Sequence, residues 1–271
     1  MKIKGPLLFG ITVLGFTGAT MGHIPTAHAL SVRQYNVNHP LIISHRGSPL
    51  KFPEHSYAGY NYAIKHGSHF IEQDVVLSKD KQLIDSHDNN LKRTLGRNVN
   101  ITSSNYRKLK RYKFKNGEHL HTLPALFKKY GKSTNYVVES KKSTAGNWVL
   151  ENKMVAAIKH YHVADHVILQ SFNQKSLAYL HRRLPHAPTM LLLTGDDSKD
   201  IFQIANEVPK YVSFTSVYTN AMKPGQIEAI HATGKKAIAY TIDNRAQVRQ
   251  AKKAKVDGIF TDDSYFTEKL F

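Results

Sequence analysis

After Pro40 the chain alternates short apolar runs with stretches of helical periodicity, and the alternation holds almost to the end. Apolar runs at 41–44, 70–77, 136–140, 167–172, 189–193, 211–215, 236–242 and 258–261 are short and bounded by turn residues, as buried strands are. Helical spacing or helix-terminal signals mark 54–66, 121–130, 148–160, 174–183, 199–207, 224–233 and 245–255, with Pro124 and Pro224 in first turns and Gly67 and Gly234 as stops. A further short strand at 83–86 follows the turn Lys79-Asp80-Lys81, and a weaker helix is expected near 103–111. Strands separated by helices pair in parallel. Eight of them over about 230 residues predict a closed (β/α)8 TIM barrel over 41–271, with an open doubly wound sheet as the alternative. The last helix is short, which makes the closing seam the expected weak point. No inter-domain linker interrupts the pattern.

The N-terminus departs from this pattern. Residues 1–29 read as an export signal: Lys2 and Lys4 precede an apolar stretch from Leu7 to Met21, and Ala27-His28-Ala29 is a small-x-small cleavage site. The apolar stretch is shorter than the ~20 residues a spanning helix needs. The expectation is therefore cleavage after Ala29, a polar lead-in at 30–40 and a secreted soluble protein. The chain has no cysteine, which excludes disulfides, thiolate catalysis, zinc–thiolate sites and a lipid-bearing N-terminal Cys. Export without disulfides suits a Gram-positive bacterium. With 41% hydrophobic residues the chain can bury one large core. Its net charge of +18 favours anionic partners and says nothing about fold.

The candidate chemistry concentrates between Ile42 and Asp88. Glu72 and Asp74 lie two apart on a strand and so face the same side, with Phe70 and Val76. Two carboxylates at the inward end of a buried strand repel each other and are costly to desolvate, and a cation relieves both problems. Glu139 and Lys141 repeat the spacing on another strand. Three carboxylates without histidine or sulfur suit one hard divalent ion, Ca²⁺ or Mg²⁺. His45 ends the first strand and is followed by Arg46-Gly47, an arginine able to grip phosphate oxygens beside a glycine that allows close backbone approach. His87 follows the short 83–86 strand, with Asp88 placed to orient it. Two histidines about a phosphodiester can act as base and acid near neutral pH.

The order His45-Arg46-Gly47, Pro53-Glu54, Glu72-Gln73-Asp74, His87-Asp88 and Glu139-Ser140-Lys141 resembles the glycerophosphodiester phosphodiesterase family. The resemblance extends through His121 to Leu126, Gln170-Ser171-Phe172, Ala239 to Asp243 and Asp257 to Asp262, and so covers about residues 41–263. It implies a TIM barrel that uses one Ca²⁺ or Mg²⁺ to hydrolyse glycerophosphodiesters to sn-glycerol 3-phosphate and an alcohol. It also implies His45 and His87 as the acid/base pair, Glu72, Asp74 and Glu139 as metal ligands, and Arg46 and Lys141 as phosphate-contacting cations. Glu54 would lie near the metal or the substrate hydroxyls, with Phe172 and Tyr240 lining the pocket. The chain departs from the family pattern in three places. His55-Ser56 replaces Asn-Thr after Pro-Glu, Tyr240 and Asp243 replace Trp and Asn, and no Pro follows Thr261-Asp262 closely. These bear on substrate preference more than on catalysis.

Residues 89–117 carry nine Lys or Arg and no acidic residue. They would form either a capture surface for a polyanion such as teichoic acid or an anionic membrane surface, or a solvated loop of an already basic protein. Interleaved aromatics are sparse and no nucleic-acid-binding motif occurs, so no specific nucleic acid is expected. The substrate would be a small or polymeric glycerophosphodiester, including deacylated phospholipid, and the protein a monomer. The competing functions are a phospholipase D or sphingomyelinase D type of phosphodiesterase acting on lipid diesters, and a non-catalytic surface protein that binds polyanions. Glu139-Ser140-Lys141 argues against the first, and the complete histidine and carboxylate set against the second.

Overall fold

The computed structural model describes residues 31–141, 147–193, 208–219, 222 and 225–271. Strands β1 (Leu41–Ser44), β2 (Phe70–Leu77), β4 (Asn135–Ser140), β5 (Val167–Ser171), β6 (Thr189–Leu192), β7 (Phe214–Tyr218), β8 (Lys236–Tyr240) and β9 (Gly258–Thr261) pair in parallel around a ring. The ring closes because β1 pairs with both β2 and β9. This is the TIM barrel expected from the strand–helix alternation.

Side chains sort by strand alternation. Leu41, Ile43, Phe70, Val137, Ile168, Met190, Phe214, Ile238 and Phe260 fill the barrel. Their neighbours Ile71, Val75, Tyr136, Val138 and Leu169 face outward and pack under helices α1 (Tyr57–Lys65), α4 (Leu123–Tyr130), α5 (Val149–His160) and α6 (Gln174–Arg183). On the other side Ile42, Ala237, Ala239 and Ile259 meet α7 (Gln226–Ala232) and α8 (Arg245–Ala254). The lead-in is more than a tether. Tyr35 is buried against His69 and Phe70, and it packs into the barrel's interior cluster.

The short strand β3 (Leu83–Asp85) runs antiparallel to β2. Val75 pairs with Ser140 of β4 and with Asp85 of β3, so β3 lies on the edge of β2 that β1 uses lower down. The basic stretch then forms α2 (Lys92–Leu95) and α3 (Tyr106–Leu109), shorter than the helix expected there. It has its own core of Ile84, Leu91, Ile101, Leu109, Phe114 and Leu120. It is therefore a folded excursion rather than a solvated loop. Glu118 fastens it to the barrel by accepting the backbone N–H groups of Tyr57 and Ala58 at 2.7 and 3.0 Å and meeting His121 Nε2 at 2.9 Å.

Three element boundaries move for local reasons. The first helix begins at Tyr57, because Ser56 caps it by accepting the N–H of Gly59. Thr122 does the same for the N–H of Ala125, so α4 starts at Leu123. β7 begins three residues later than the 211–215 run suggested. Val212 closes a turn onto Pro209, and Tyr211 and Val212 pack under the helices instead. The seam is fully formed: Leu41 to Ser44 pair one for one with Gly258 to Thr261. Helix α9 (Ser264–Glu268) packs against β1. The expected export signal and the helix at 199–207 lie outside the described residues. Among the described residues no helix is long and apolar enough to cross a membrane.

Candidate active site

At the end of β1 the chain turns sharply through His45, Arg46 (φ 53°) and Gly47 (φ 91°). A Cβ on Gly47 would lie 3.1 Å from the backbone of Gly59 and 3.2 Å from that of Tyr60, so glycine lets α1 approach. The turn aims the Arg46 backbone N–H at Glu72 Oε2, 2.8 Å away. Its guanidinium lies 3.5 Å from Asp74 Oδ2 and 3.3 Å from Glu54 Oε2.

Glu72, Asp74 and Glu139 point inward at the C-terminal ends of β2 and β4, all buried. One oxygen from each falls within 4.8 Å of the others. Lys141 Nζ sits 3.2 Å from Glu139 and 3.5 Å from Asp74. Burial and the neighbouring Asp74 push the Glu139 carboxyl well above its usual range and raise Glu72 as well. Burial acts the same way on Asp74, but hydrogen bonding to His55 and the charges of Lys141, His55 and Arg46 hold it well below. Asp74 Oδ1 is buried and makes no hydrogen bond, with only the Lys141 ammonium 3.5 Å away. An all-oxygen set under mutual repulsion, with one oxygen that makes no hydrogen bond, fits a hard divalent cation.

The backbone N–H of Ser86 donates to the Asp74 carbonyl at 2.8 Å, which docks the end of β3 on β2 and brings His87 to the mouth. His87 Nδ1 contacts Asp88 Oδ1 at 2.7 Å, and His45 Nδ1 contacts Asp262 Oδ1 at 2.6 Å. Each imidazole thus has one nitrogen on a carboxylate and the other available for chemistry. Burial lowers the His87 pKa below its ordinary value, so the ring is neutral at pH 7. His45, Arg46, His87 and the three carboxylates line one cavity of about 200 Å³ on the barrel axis. Tyr240 lines the same cavity and is anchored by donating to the Leu193 carbonyl at 2.7 Å. Phe172 stands at the rim, 43% exposed, with Lys141 Nζ 6.0 Å from its ring centre. Glu54 faces outward, toward a larger open groove, and does not line the cavity.

The sequence profile of the glycerophosphoryl diester phosphodiesterase family matches residues 45–265. The chain belongs to this family. Two curated relatives, both glycerophosphodiester phosphodiesterases, come from Caldanaerobacter subterraneus subsp. tengcongensis and Bacillus subtilis. The first is 31% identical, covering 82% of this chain and 94% of the relative. The second is 29% identical, covering 82% and 83%. Two solved structures share the barrel. A glycerophosphodiester phosphodiesterase from Thermotoga maritima superposes with TM-score 0.72 at 23% identity, covering 86% of this chain and 99% of that one. A phosphodiesterase from Oleispira antarctica, in complex with the product sn-glycerol-3-phosphate, gives 0.70 at 22%, covering 85% and 96%.

This phosphodiesterase carries three further side chains in the site's supports. Asp262, the partner of His45, sits just beyond β9; its place at the end of the last strand was the available signal. Arg93, on α2, grips Glu54 with two hydrogen bonds of 2.7 and 2.8 Å and Asp88 with a third of 2.6 Å. Nothing in its local sequence sets it apart from the other cations of the excursion. His55, where the family pattern has Asn, is buried with Nε2 3.1 Å from Asp74 and Nδ1 2.8 Å from the Tyr60 hydroxyl and 3.1 Å from Asp85. Burial disfavours its charge, but Asp85 and Asp74 outweigh that and raise its pKa to about 9. The departure from the family pattern thus places a buried cation behind a cluster of anions.

Proposed function

We propose that the protein is a secreted, divalent-metal-dependent hydrolase that converts glycerophosphodiesters to sn-glycerol 3-phosphate and an alcohol, with His45 and His87 as its acid/base pair. One observation carries this reading: two carboxylate-oriented histidines converge on a single cavity with three buried carboxylates within 4.8 Å of one another. A Ca²⁺ or Mg²⁺ held by Glu72, Asp74 and Glu139 would supply Lewis-acid polarisation of a phosphoryl oxygen.

The chain's own groups do the rest. Arg46 and Lys141 bind the non-bridging oxygens and offset the charge that builds on them in the transition state. His87, kept neutral by burial, takes the proton of the attacking hydroxyl, whether the glycerol 2-hydroxyl or water. His45, oriented by Asp262, gives a proton to the departing alkoxide. Tyr240 and Phe172 cover the glycerol. The family relationship supports the diester substrate, and the named relatives and the product bound in the Oleispira antarctica structure are consistent with it. Neither the lipid-diesterase reading nor the idle-binder reading is favoured by any feature of the site.

The test is release of glycerol 3-phosphate from glycerophosphocholine. Chelator should abolish it and added Mg²⁺ or Ca²⁺ restore it, while His45→Ala and His87→Ala should each lose ~10²–10⁴-fold in kcat. Full turnover in chelator would refute the metal, and wild-type turnover in either variant the histidine pair. For export, N-terminal sequencing of protein recovered from the medium should begin at Leu30.

A further inference from the structure

The mouth of the barrel shows more apolar surface to solvent than its chemistry uses. Among the described residues five large apolar side chains are exposed. Val37 belongs to the lead-in, and Tyr265 leans on His66 at the end of α1. The other three surround the mouth: Leu50 in the loop after β1, Phe172 just past β5, and Tyr218 at the end of β7. Leu50 is the most open of them at 62% and does not line the axial cavity.

Leu50 instead borders the open groove that Glu54 faces, a space of about 590 Å³. Pro49, Phe52 and Pro53 continue its side of the groove, and Phe114 and Lys115 of the excursion lie across from them. The groove's one carboxylate, Glu54, is already held by Arg46 and Arg93. An apolar loop and the basic excursion therefore meet in one surface.

The excursion stands over the same rim. The Ser104 carbonyl accepts the backbone N–H of Lys79 at 3.0 Å, and Asp80 Oδ1 accepts that of Tyr106 at 2.9 Å. These bonds tie it to the turn just past the C-terminal end of β2. Its nine Lys and Arg residues are all exposed. Arg93 is engaged with Glu54 and Asp88, and among the described residues the other eight meet no carboxylate. Exposed apolar side chains beside unpaired cations suit a boundary where hydrocarbon meets anionic headgroups. A soluble polyanion would engage the cations and leave Leu50 in water.

We infer that the rim around Leu50 and the excursion form a docking face for an anionic lipid bilayer. Leu50 and the apolar side of the groove enter the headgroup boundary, and the excursion's cations meet lipid phosphates. Docking is separate from catalysis and stands or falls without the hydrolase reading. For an enzyme of glycerophosphodiesters it holds the mouth where removal of acyl chains from phospholipids releases the substrate.

The experiment is co-sedimentation of the protein with vesicles of equal parts phosphatidylglycerol and phosphatidylcholine, and with vesicles of phosphatidylcholine alone, at low and at physiological salt. Wild type should bind the mixed vesicles at least about tenfold more tightly than phosphatidylcholine alone, with a larger margin at low salt. Leu50→Ser, which removes apolar surface without altering charge, should weaken that binding about tenfold at both salts. Lys113→Glu combined with Lys115→Glu should weaken it by a larger factor at low salt than at physiological salt. Equal binding to the two kinds of vesicle would overturn the proposal. So would wild-type binding by Leu50→Ser, which would make the excursion a charged surface for soluble polyanions. Turnover of glycerophosphocholine in solution should be the same in wild type and both variants; its loss in Leu50→Ser alone would place Leu50 in the catalytic site and remove it from the docking face.

Discussion

Arg93 holds two carboxylates at once, and through Asp88 it reaches the imidazole of His87. It acts as a positioning residue in the charged chain Glu54–Arg93–Asp88–His87. Its side chain is 51% exposed, so its removal should cost the fold little. Arg93→Ala is expected to lower kcat by ~10–100-fold with an unchanged melting temperature. Arg93→Lys should recover only part of the loss, since an ammonium cannot make the fork to Glu54. A shifted melting temperature with unchanged kcat would mark Arg93 as merely structural. The pH profile tests the adjoining link. His87 must be neutral to act as base, and burial depresses its pKa, so the acid limb of kcat/KM should fall below the 6.5 of an ordinary histidine. Asp88 opposes that depression, so Asp88→Asn should move the limb still lower while also reducing kcat by loosening the ring. A limb that moves upward would contradict the assignment. The cluster of Glu72, Asp74, Glu139, both histidines, Arg46 and Lys141 was legible in the sequence because each sits at a strand end with informative neighbours. The supports were not: Asp262 lies 217 residues from His45 and Arg93 lies 39 from Glu54. Contact at that range is a property of the fold, invisible in local spacing.

Among the elements, most strands were legible because an all-parallel barrel buries both strand faces and writes each strand as an apolar run. That rule also explains the displaced β7, where Tyr211 and Val212 are apolar for helix packing and mimic a strand start. The excursion was harder to read. Its nine cations left a capture surface and a solvated loop both open, yet Leu91, Ile101, Leu109 and Phe114 interleave with them to make a small core. Closure depends on one glycine. A Cβ on Gly258 would meet the Leu41 carbonyl oxygen at 2.6 Å and its Cβ at 2.7 Å, directly across the seam. Gly258→Ala should therefore destabilise the protein by ~1–3 kcal/mol, seen as a lower urea midpoint with an unchanged slope. A wild-type midpoint would mean that the seam has slack to spread.

On the scale of the whole molecule, the barrel serves as a frame that gathers groups from distant parts of the chain on one rim. β1, β2, β4 and β9 carry, or lead directly into, His45, Arg46, the three clustered carboxylates, Lys141 and the carboxylate behind His45, while β6 to β8 mainly give shape to the pocket. The excursion and β3 are additions at one edge of that frame, and they bring His87 and its carboxylate. Closure of the ring has a consequence for how the molecule comes into being. Chains emerge N-terminal end first, so β1 is made early and must wait for β9 before its second edge is paired. Until then His45 lacks Asp262, and the half-site on β1 cannot orient its imidazole. The His45–Asp262 pair is thus completed only with the last strand, and a nascent or truncated chain that stops short of Asp262 should release no glycerol 3-phosphate.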